Sequence, residues 1–158
     1  MRLAGLAIAC AVIGSALVAA RPAAAQDGPL PAQVLVVLAK EKPGPVDPAL
    51  EDEPALKRAP FNAFRSMKVL SKPKVTLKVG EPEEVVLPNG RKLRLTVVRV
   101  MPDGRFRVKV SINRPSQNDY LPLLQVVASA GDPFFVAGQS HQGGTLVIGV
   151  RIGDKPSK

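Results

Sequence analysis

The glycine-rich segment 138–144 contains the residues that come closest to a catalytic pair. Ser140 and His141 have the residue types of a nucleophile and its general base, but a nucleophile elbow places its serine in a Gly-x-Ser-x-Gly turn between a strand and a helix. Position 142 is Gln instead of Gly, and the residues that follow it read as a strand. Adjacent side chains on an extended backbone point to opposite sides, so His141 is badly placed to activate Ser140. We therefore predict no catalytic residue, keep Gln139, Ser140 and His141 as candidate loop contacts, and regard a Ser/His hydrolase as the least favoured hypothesis.

Metal and cofactor chemistry has few residues to build on. The protein contains one histidine, His141, and one cysteine, Cys10, whereas a structural zinc site takes about four such ligands. The acidic cluster at residues 51–53 lacks the alternating ligands and the central glycine of a calcium loop. Its place just after Asp47-Pro48 is better explained by the attraction of acidic side chains to a helix N-terminus. The sequence predicts no metal site and no cofactor.

Positive charge is concentrated in the middle of the chain. The net charge of the whole chain is +9, and residues 57–114 alone contain fifteen Lys/Arg against four acidic residues. Such a basic surface attracts anions, although a solvated sheet face that keeps the protein soluble is the alternative interpretation. Six basic residues fall on one predicted hairpin and form the candidate binding site: Arg91, Lys92, Arg94, Arg99, Arg107 and Lys109.

Strands position these basic residues. The turn sequence Pro-Asn-Gly at 88–90 leads into a strand over 92–100, and Pro-Asp-Gly at 102–104 leads into a return strand whose Phe106, Val108 and Val110 share one face. The Val97-Val98 pair breaks the alternation of the outgoing strand and predicts a bulge or burial on both sides. Further strands are predicted at about 123–128, 133–137 and 145–152, with residues 138–144 as the loop between the last two.

The N-terminal part of the mature chain combines a strand with short helical turns. A strand is predicted over 33–39, because its core at 34–38 is a continuous apolar run, which favours a strand covered on both faces. Asp47-Pro48 is typical of a helix start, because Asp caps free amides and Pro suits the first helical position. Pro54 and Pro60 interrupt the segment, so we expect two short turns instead of one long helix.

The first twenty-five residues have the pattern of an export signal. Arg2 precedes an apolar run over 3–20, and Ala23-Ala24-Ala25 supplies the small residues of a cleavage site after Ala25. Cleavage removes Cys10, so the mature chain is free of cysteine, and its charge becomes +7. A retained membrane anchor and a lipoprotein acylated at Cys10 are the alternatives. The protein is expected to be periplasmic or secreted.

The expected organisation is a single domain behind the signal. The mature chain of 133 residues suits one core. We predict a signal peptide at 1–25, a flexible tether at 26–32, an α+β domain at 33–153 and a C-terminal tail at 154–158. The domain is expected to pack an N-terminal strand and a short broken helix on a mostly antiparallel sheet or small sandwich.

Several short motifs follow one another along the chain: VLVVLA at 34–39, VDPAL at 46–50, FNAF at 61–64, LPNGR at 87–91, FFVAG at 134–138 and GGTLVI at 143–148. Their order resembles that of small exported bacterial proteins with no assigned function, over about residues 33–152. Pro54 and Pro60 depart from the longer amphipathic helix that this resemblance implies. No catalytic or binding residue follows from the resemblance.

These observations favour a non-enzymatic exported interaction module. Its partner is expected to be an anionic cell-envelope component or an acidic protein surface, reached through the basic hairpin. Nucleic acid is not an expected partner, because export removes the protein from its usual location and only Phe106 interleaves with the charges of the hairpin, where stacking readers use several aromatic residues. Membrane contact is expected only through an uncleaved signal or surface charge, and the alternative function is a structural or assembly subunit of an envelope complex.

Overall fold

The computed structural model of the protein describes residues 28–154. The predicted signal peptide (1–25), with Cys10 and the cleavage site after Ala25, lies outside the described residues. Residues 26–27 of the predicted tether and 155–158 of the predicted tail lie outside them as well. Within the described range, no helix has the length and apolar character needed to cross a bilayer.

Two antiparallel sheets make up most of the described chain. The strands are β1 (Leu30–Lys40), β2 (Ser66–Ser71), β3 (Lys74–Leu77), β4 (Pro82–Val86), β5 (Lys92–Val100), β6 (Phe106–Asn113), β7 (Tyr120–Ala128), β8 (Phe134–His141) and β9 (Gly144–Ile152). Helical structure is limited to one α-helical turn, α1 (Pro48–Glu51), and two 3-10 turns at Pro54–Lys57 and Phe61–Ala63. The side chain of Asp47 caps α1 by accepting a hydrogen bond from the Ala49 amide at 3.0 Å.

The first sheet has the order β2-β1-β9-β8, and β3 also pairs with β1. β3 pairs with residues 30–33 of β1, and β2 pairs with residues 36–40, with a register shift between Val36 and Val37. The second sheet is the meander β4-β5-β6-β7. Its two predicted turns each contain a glycine with positive φ, Gly90 (79°) and Gly104 (81°), as the Pro-Asn-Gly and Pro-Asp-Gly sequences require.

The main core lies between the two sheets. Alternate residues of each strand point into it, which is the consequence of the two-residue repeat of an extended chain. Val34 and Val36 of β1 contribute to the same fully buried cluster as Leu93 and Leu95 of β5. Each such side chain stabilises the fold by about 1.5–3 kcal/mol on burial. The inward positions of β5 and β6 therefore leave their basic residues on the opposite, outer face.

The outer face of the first sheet is covered by the helical turns. Val37 of β1 and Val147 of β9 form a second buried cluster with Leu50 and Leu56 from the segment between β1 and β2. Strand β1 is thus buried on both faces, which accounts physically for its unbroken apolar run.

Three sequence predictions need correction. The first strand begins at Leu30, inside the segment predicted as a flexible tether. The segment predicted as a loop at 138–144 is mostly strand, because β8 continues to His141 through a bulge after Ala137. The α+β assignment holds only in its coarse part, a mostly antiparallel β-rich fold, since the helical share is three short turns.

Gly149 is required by the packing of the second cluster. A Cβ at this position would lie 2.6 Å from Cε1 of Phe135, the ring of which packs edge-to-face on Phe61 with centroids 6.0 Å apart. We expect Gly149→Ala to lower the free energy of unfolding, measured by urea denaturation, by about 1–3 kcal/mol through overpacking. In a Phe135→Ala background the same change should cost much less, and an equal cost in both backgrounds would show that the clash is not the cause.

Candidate functional site

The predicted basic hairpin is the β5–β6 pair, and its charged residues lie on the outer face of the second sheet. Leu93 and Leu95 point into the core, so Lys92 and Arg94 point outward. The register shifts between Val97 and Arg99, where the sequence predicted an irregularity. This bulge returns Arg99 to the outer face, because the extra residue restores the alternation on its far side.

Arg99, Arg107 and Lys109 form a patch of uncompensated positive charge, called here the Arg99 patch. Arg99 and Arg107 are direct partners in the β5–β6 register, and Lys109 is the next outward residue of β6. Within residues 28–154, no carboxylate lies within 4.0 Å of these three side chains. Like charges directly opposite each other in a sheet are destabilising. An anion bound between them would relieve this repulsion.

Arg94 and Lys92, in contrast, are compensated by Glu84 of β4. Oε1 of Glu84 accepts hydrogen bonds from Nη2 of Arg94 at 2.8 Å and from the Tyr120 hydroxyl at 2.6 Å, and Oε2 lies 3.7 Å from Nζ of Lys92. The Arg94 guanidinium also stacks on the Tyr120 ring, 3.5 Å from its centroid. The hydrogen bonds from Tyr120 and then Arg94 hold the pKa of Glu84 below its ordinary value of 4.5. These two cations are therefore less available to an external anion than the sequence suggested.

Removing the strongest of these hydrogen bonds should move the titration of Glu84. We expect Tyr120→Phe to raise the pKa of the Glu84 carboxyl toward 4.5, because the hydroxyl that favours the ionised form is lost. In the native protein the interaction contributes to stability above pH 4.5 and is lost as the pH falls through the lowered pKa. Carbon NMR of the carboxyl group measures the midpoint. Gln125→Ala, an exposed change on the same face, is the control, and an unchanged midpoint in Tyr120→Phe would contradict the role of the hydroxyl.

Arg91 connects the two sheets and does not join the basic face. Its Nε donates to the Asn113 carbonyl at 3.1 Å, its Nη2 donates to the same oxygen, and its Nη1 donates to Oε1 of Gln139 at 3.0 Å. The contact brings together one residue from each of the two sites predicted from sequence. Its geometry is that of a structural clamp, because the donors of the guanidinium are used within the protein.

Arg91→Lys should therefore destabilise the fold without altering the outer basic face. Lysine keeps the charge but cannot reproduce the planar fork of donors, so we expect the free energy of unfolding to fall by about 1–2 kcal/mol. Urea denaturation measures the loss. A variant with full stability but weaker binding to anionic vesicles would instead assign Arg91 to the binding surface.

Ser140 and His141 lie on β8 beside its turn. They pair with Thr145 and Gly144 of β9, and the connection is the two-residue turn Gln142-Gly143, with φ of 44° and 71°. Two positive φ values are typical of a type I′ hairpin, in which both strands continue to the turn. Neighbouring residues of a strand point to opposite faces, so the fold does not bring the two side chains together. Among residues 28–154, no group of three or more His, Cys, Asp or Glu side chains is placed to hold a metal ion.

Sequence reasoning missed Glu84 and Tyr120, which belong to strands at the two edges of the sheet. Glu84 pairs with Arg94 because the 88–90 turn sets the β4–β5 register. That pairing could have been found by extending the predicted hairpin one strand backward. The contact from Tyr120 depends on how far its side chain reaches across the sheet, for which the sequence carries no local signal.

Comparisons of the chain with protein-family models, curated proteins and solved structures return no match. Its function must therefore be inferred from the arrangement of its own residues.

Proposed function

We propose that this protein is a non-enzymatic exported interaction module that binds a phosphate-bearing lipid surface of the cell envelope through the Arg99 patch. The observation that carries the proposal is the register of Arg99 opposite Arg107 with no carboxylate near either within residues 28–154. Guanidinium groups match phosphate geometry and remain charged at all relevant pH values. A phosphate bound between the two guanidinium groups would thus offset the repulsion between them in the free protein.

Exposed valines beside the patch favour a lipid surface over an acidic protein. Val98, in the β5 bulge, is 43% exposed, and Val127, the register partner of Arg107 on β7, is 39% exposed. Cationic groups flanked by apolar side chains suit the headgroup boundary of a bilayer, where charge attraction and apolar burial act together. A purely polar acidic partner would not use the valines.

The sequence predicts the compartment in which the protein meets its partner. The pattern of Arg2, the apolar run and the Ala23-Ala24-Ala25 cleavage site predicts a mature chain in the periplasm or outside the cell. Anionic lipids and lipopolysaccharide are abundant anions there, whereas nucleic acid is not. The non-enzymatic assignment is supported by the opposite facing of Ser140 and His141 on β8.

Vesicle co-sedimentation tests the proposal. Mature protein starting at Gln26 should sediment with vesicles that contain phosphatidylglycerol and remain soluble with phosphatidylcholine vesicles. Binding should disappear at about 1 M salt, where the Debye length falls to ~3 Å. Equal binding to both lipids, or binding that resists salt, would contradict the proposal. Retention only on a column of acidic protein would also contradict it and would indicate that the Arg99 patch binds a protein.

The edges of the second sheet favour an assembly subunit as the second candidate. β4 and β7 are its edge strands, and they carry Val86 (67% exposed) and Leu121 (38% exposed). Open edges with apolar side chains can pair with another chain. Sedimentation velocity at micromolar concentration and high salt distinguishes the candidates, because a stable oligomer supports assembly and a monomer supports the lipid-binding module.

A further inference from the structure

A polar cleft lies on the same outer face, at the end of the sheet where residues 114–119 connect β6 to β7. Its volume is about 500 Å³, and six of the side chains that line it are Glu84, Tyr120, Asn113, Ser116, Gln117 and Asn118. The connection is closed at its base by an ion pair between Nε of Arg114 and Oδ2 of Asp119 at 3.0 Å and by the Arg114 amide, which donates to the Asp119 carbonyl at 3.0 Å. The volume falls within the range of about 300–1,000 Å³ found for ligand pockets, but the polar lining is unsuited to an apolar ligand.

The charges in the cleft restrict the class of ligand. The Glu84 carboxylate is already held by Arg94 and the Tyr120 hydroxyl, and its pKa lies below the ordinary value, so it stays ionised and only accepts hydrogen bonds. The two cations that line the cleft are already engaged by this carboxylate, Arg94 at 2.8 Å and Lys92 at 3.7 Å, so they are less available to a second anion. A cation would be repelled by Lys92 and Arg94, which both line the cleft. The ligand that remains is neutral and carries its own hydrogen-bond donors.

The other lining groups both donate and accept. The amides of Gln117 and Asn118 offer one acceptor oxygen and two donor hydrogens each, and Ser116 offers a hydroxyl. The Tyr120 ring is fixed in place by its hydroxyl bond to Glu84 and by the stacked Arg94 guanidinium. Mixed donors and acceptors around a fixed side chain match the hydroxyl groups at the edge of a sugar ring, each of which both donates and accepts hydrogen bonds.

We propose that this cleft binds a neutral oligosaccharide, with the Glu84 carboxylate and the side-chain amides of Gln117 and Asn118 holding its hydroxyl groups beside the Tyr120 ring. This site is separate from the Arg99 patch and takes a ligand of a different class. Its binding should therefore be insensitive to salt, in contrast to the binding of anionic vesicles.

Intrinsic tyrosine fluorescence can measure ligand binding in this cleft without an added label. It contains one tyrosine and no tryptophan, so its tyrosine fluorescence comes from Tyr120 alone. Mature protein is titrated separately with chitotriose, maltotriose and cellotriose as neutral probes and with trigalacturonate as an anionic probe. We expect a saturable, salt-independent change with at least one neutral trisaccharide and a weaker response to trigalacturonate. No saturable change with any neutral probe, or tighter binding of trigalacturonate, would overturn the proposal.

Variants of exposed residues complete the test with little risk to folding. The double change Gln117→Ala and Asn118→Ala removes two hydrogen-bonding groups, so affinity for the responding trisaccharide should fall at least about tenfold. Gln125→Ala removes an exposed amide from the same sheet face outside the cleft and should leave affinity unchanged. Equal affinities of the double variant and wild type would contradict the site. Both variants should bind phosphatidylglycerol vesicles as wild type does, because the Arg99 patch is unchanged in each.

Discussion

Replacing Arg151 with Met is expected to lower the free energy of unfolding by about 3 kcal/mol. Nη2 of Arg151, on β9, lies 2.8 Å from Oε1 of Glu53, which precedes the first 3-10 turn, and the side chains are only 23% and 16% exposed. Methionine keeps the apolar stem of the side chain but leaves the Glu53 carboxylate without its partner in a largely desolvated position. The loss lies at the low end of the range of about 3–5 kcal/mol for buried pairs, because this pair is only part-buried but retains one charge without compensation when it is half-broken.

An exposed ion pair of the same protein supplies the matched control. Arg114 and Asp119 lie 3.0 Å apart, but their side chains are 48% and 52% exposed. Arg114→Met should therefore cost less than about 1 kcal/mol. Urea denaturation measures both variants, and adding Glu53→Leu to Arg151→Met should recover much of the lost stability. Equal costs for Arg151→Met and Arg114→Met would show that the helical turns are not held to the first sheet by this ion pair.

Neutralising the Arg99 patch is expected to have the largest effect on binding. Each basic residue near an anionic membrane surface contributes about 1 kcal/mol. Changing Arg99, Arg107 and Lys109 together to Gln should thus weaken binding to phosphatidylglycerol vesicles about a hundredfold. Folding should be unimpaired, because the change removes the repulsion between Arg99 and Arg107 across the strand pair.

A variant with the same change in charge elsewhere separates a specific patch from net charge. Lys68, Lys72 and Lys74 are exposed along the β2–β3 edge of the first sheet, and changing these three to Gln lowers the net charge by the same amount. We expect this variant to lose little affinity. If both triple variants lose affinity equally, attraction depends on total charge and the Arg99 patch has no special role.

The β-rich fold could be predicted because its strands carry strong local patterns. Alternation placed Phe106, Val108 and Val110 in the core, and the structure confirms their burial. The Val97-Val98 irregularity predicted a bulge or burial on both sides, and the β5–β6 register contains the bulge. Turn residues with glycine fixed the two hairpins of the second sheet. The end of β8 was missed because the Gly138 bulge lets the strand continue through a sequence that is typical of a loop.

The candidate site was only partly predictable, since charge alone does not reveal which cations are compensated. Arg94 is neutralised by Glu84 on the neighbouring strand, and Arg91 donates to Gln139, which is 48 residues away in the chain. Contacts of this kind depend on sheet order and on the distance between the two sheets. The sequence therefore supplied a set of six basic residues, and the fold separates Arg99, Arg107 and Lys109 from the others.

The side-chain Nε–H signals of the arginines offer the most direct measurement of the central claim. In proton–nitrogen correlation spectra of the mature protein titrated with phosphatidylglycerol-containing nanodiscs, the Arg99 and Arg107 signals should shift or broaden together and saturate. The Nε–H signals of Arg91 and Arg151 should stay in place, because the guanidinium groups of these residues already donate through Nη1 to Gln139 and through Nη2 to Glu53. Binding that leaves Arg99 and Arg107 unchanged, or that moves all four signals alike, would contradict the assignment of the Arg99 patch as the lipid-binding surface.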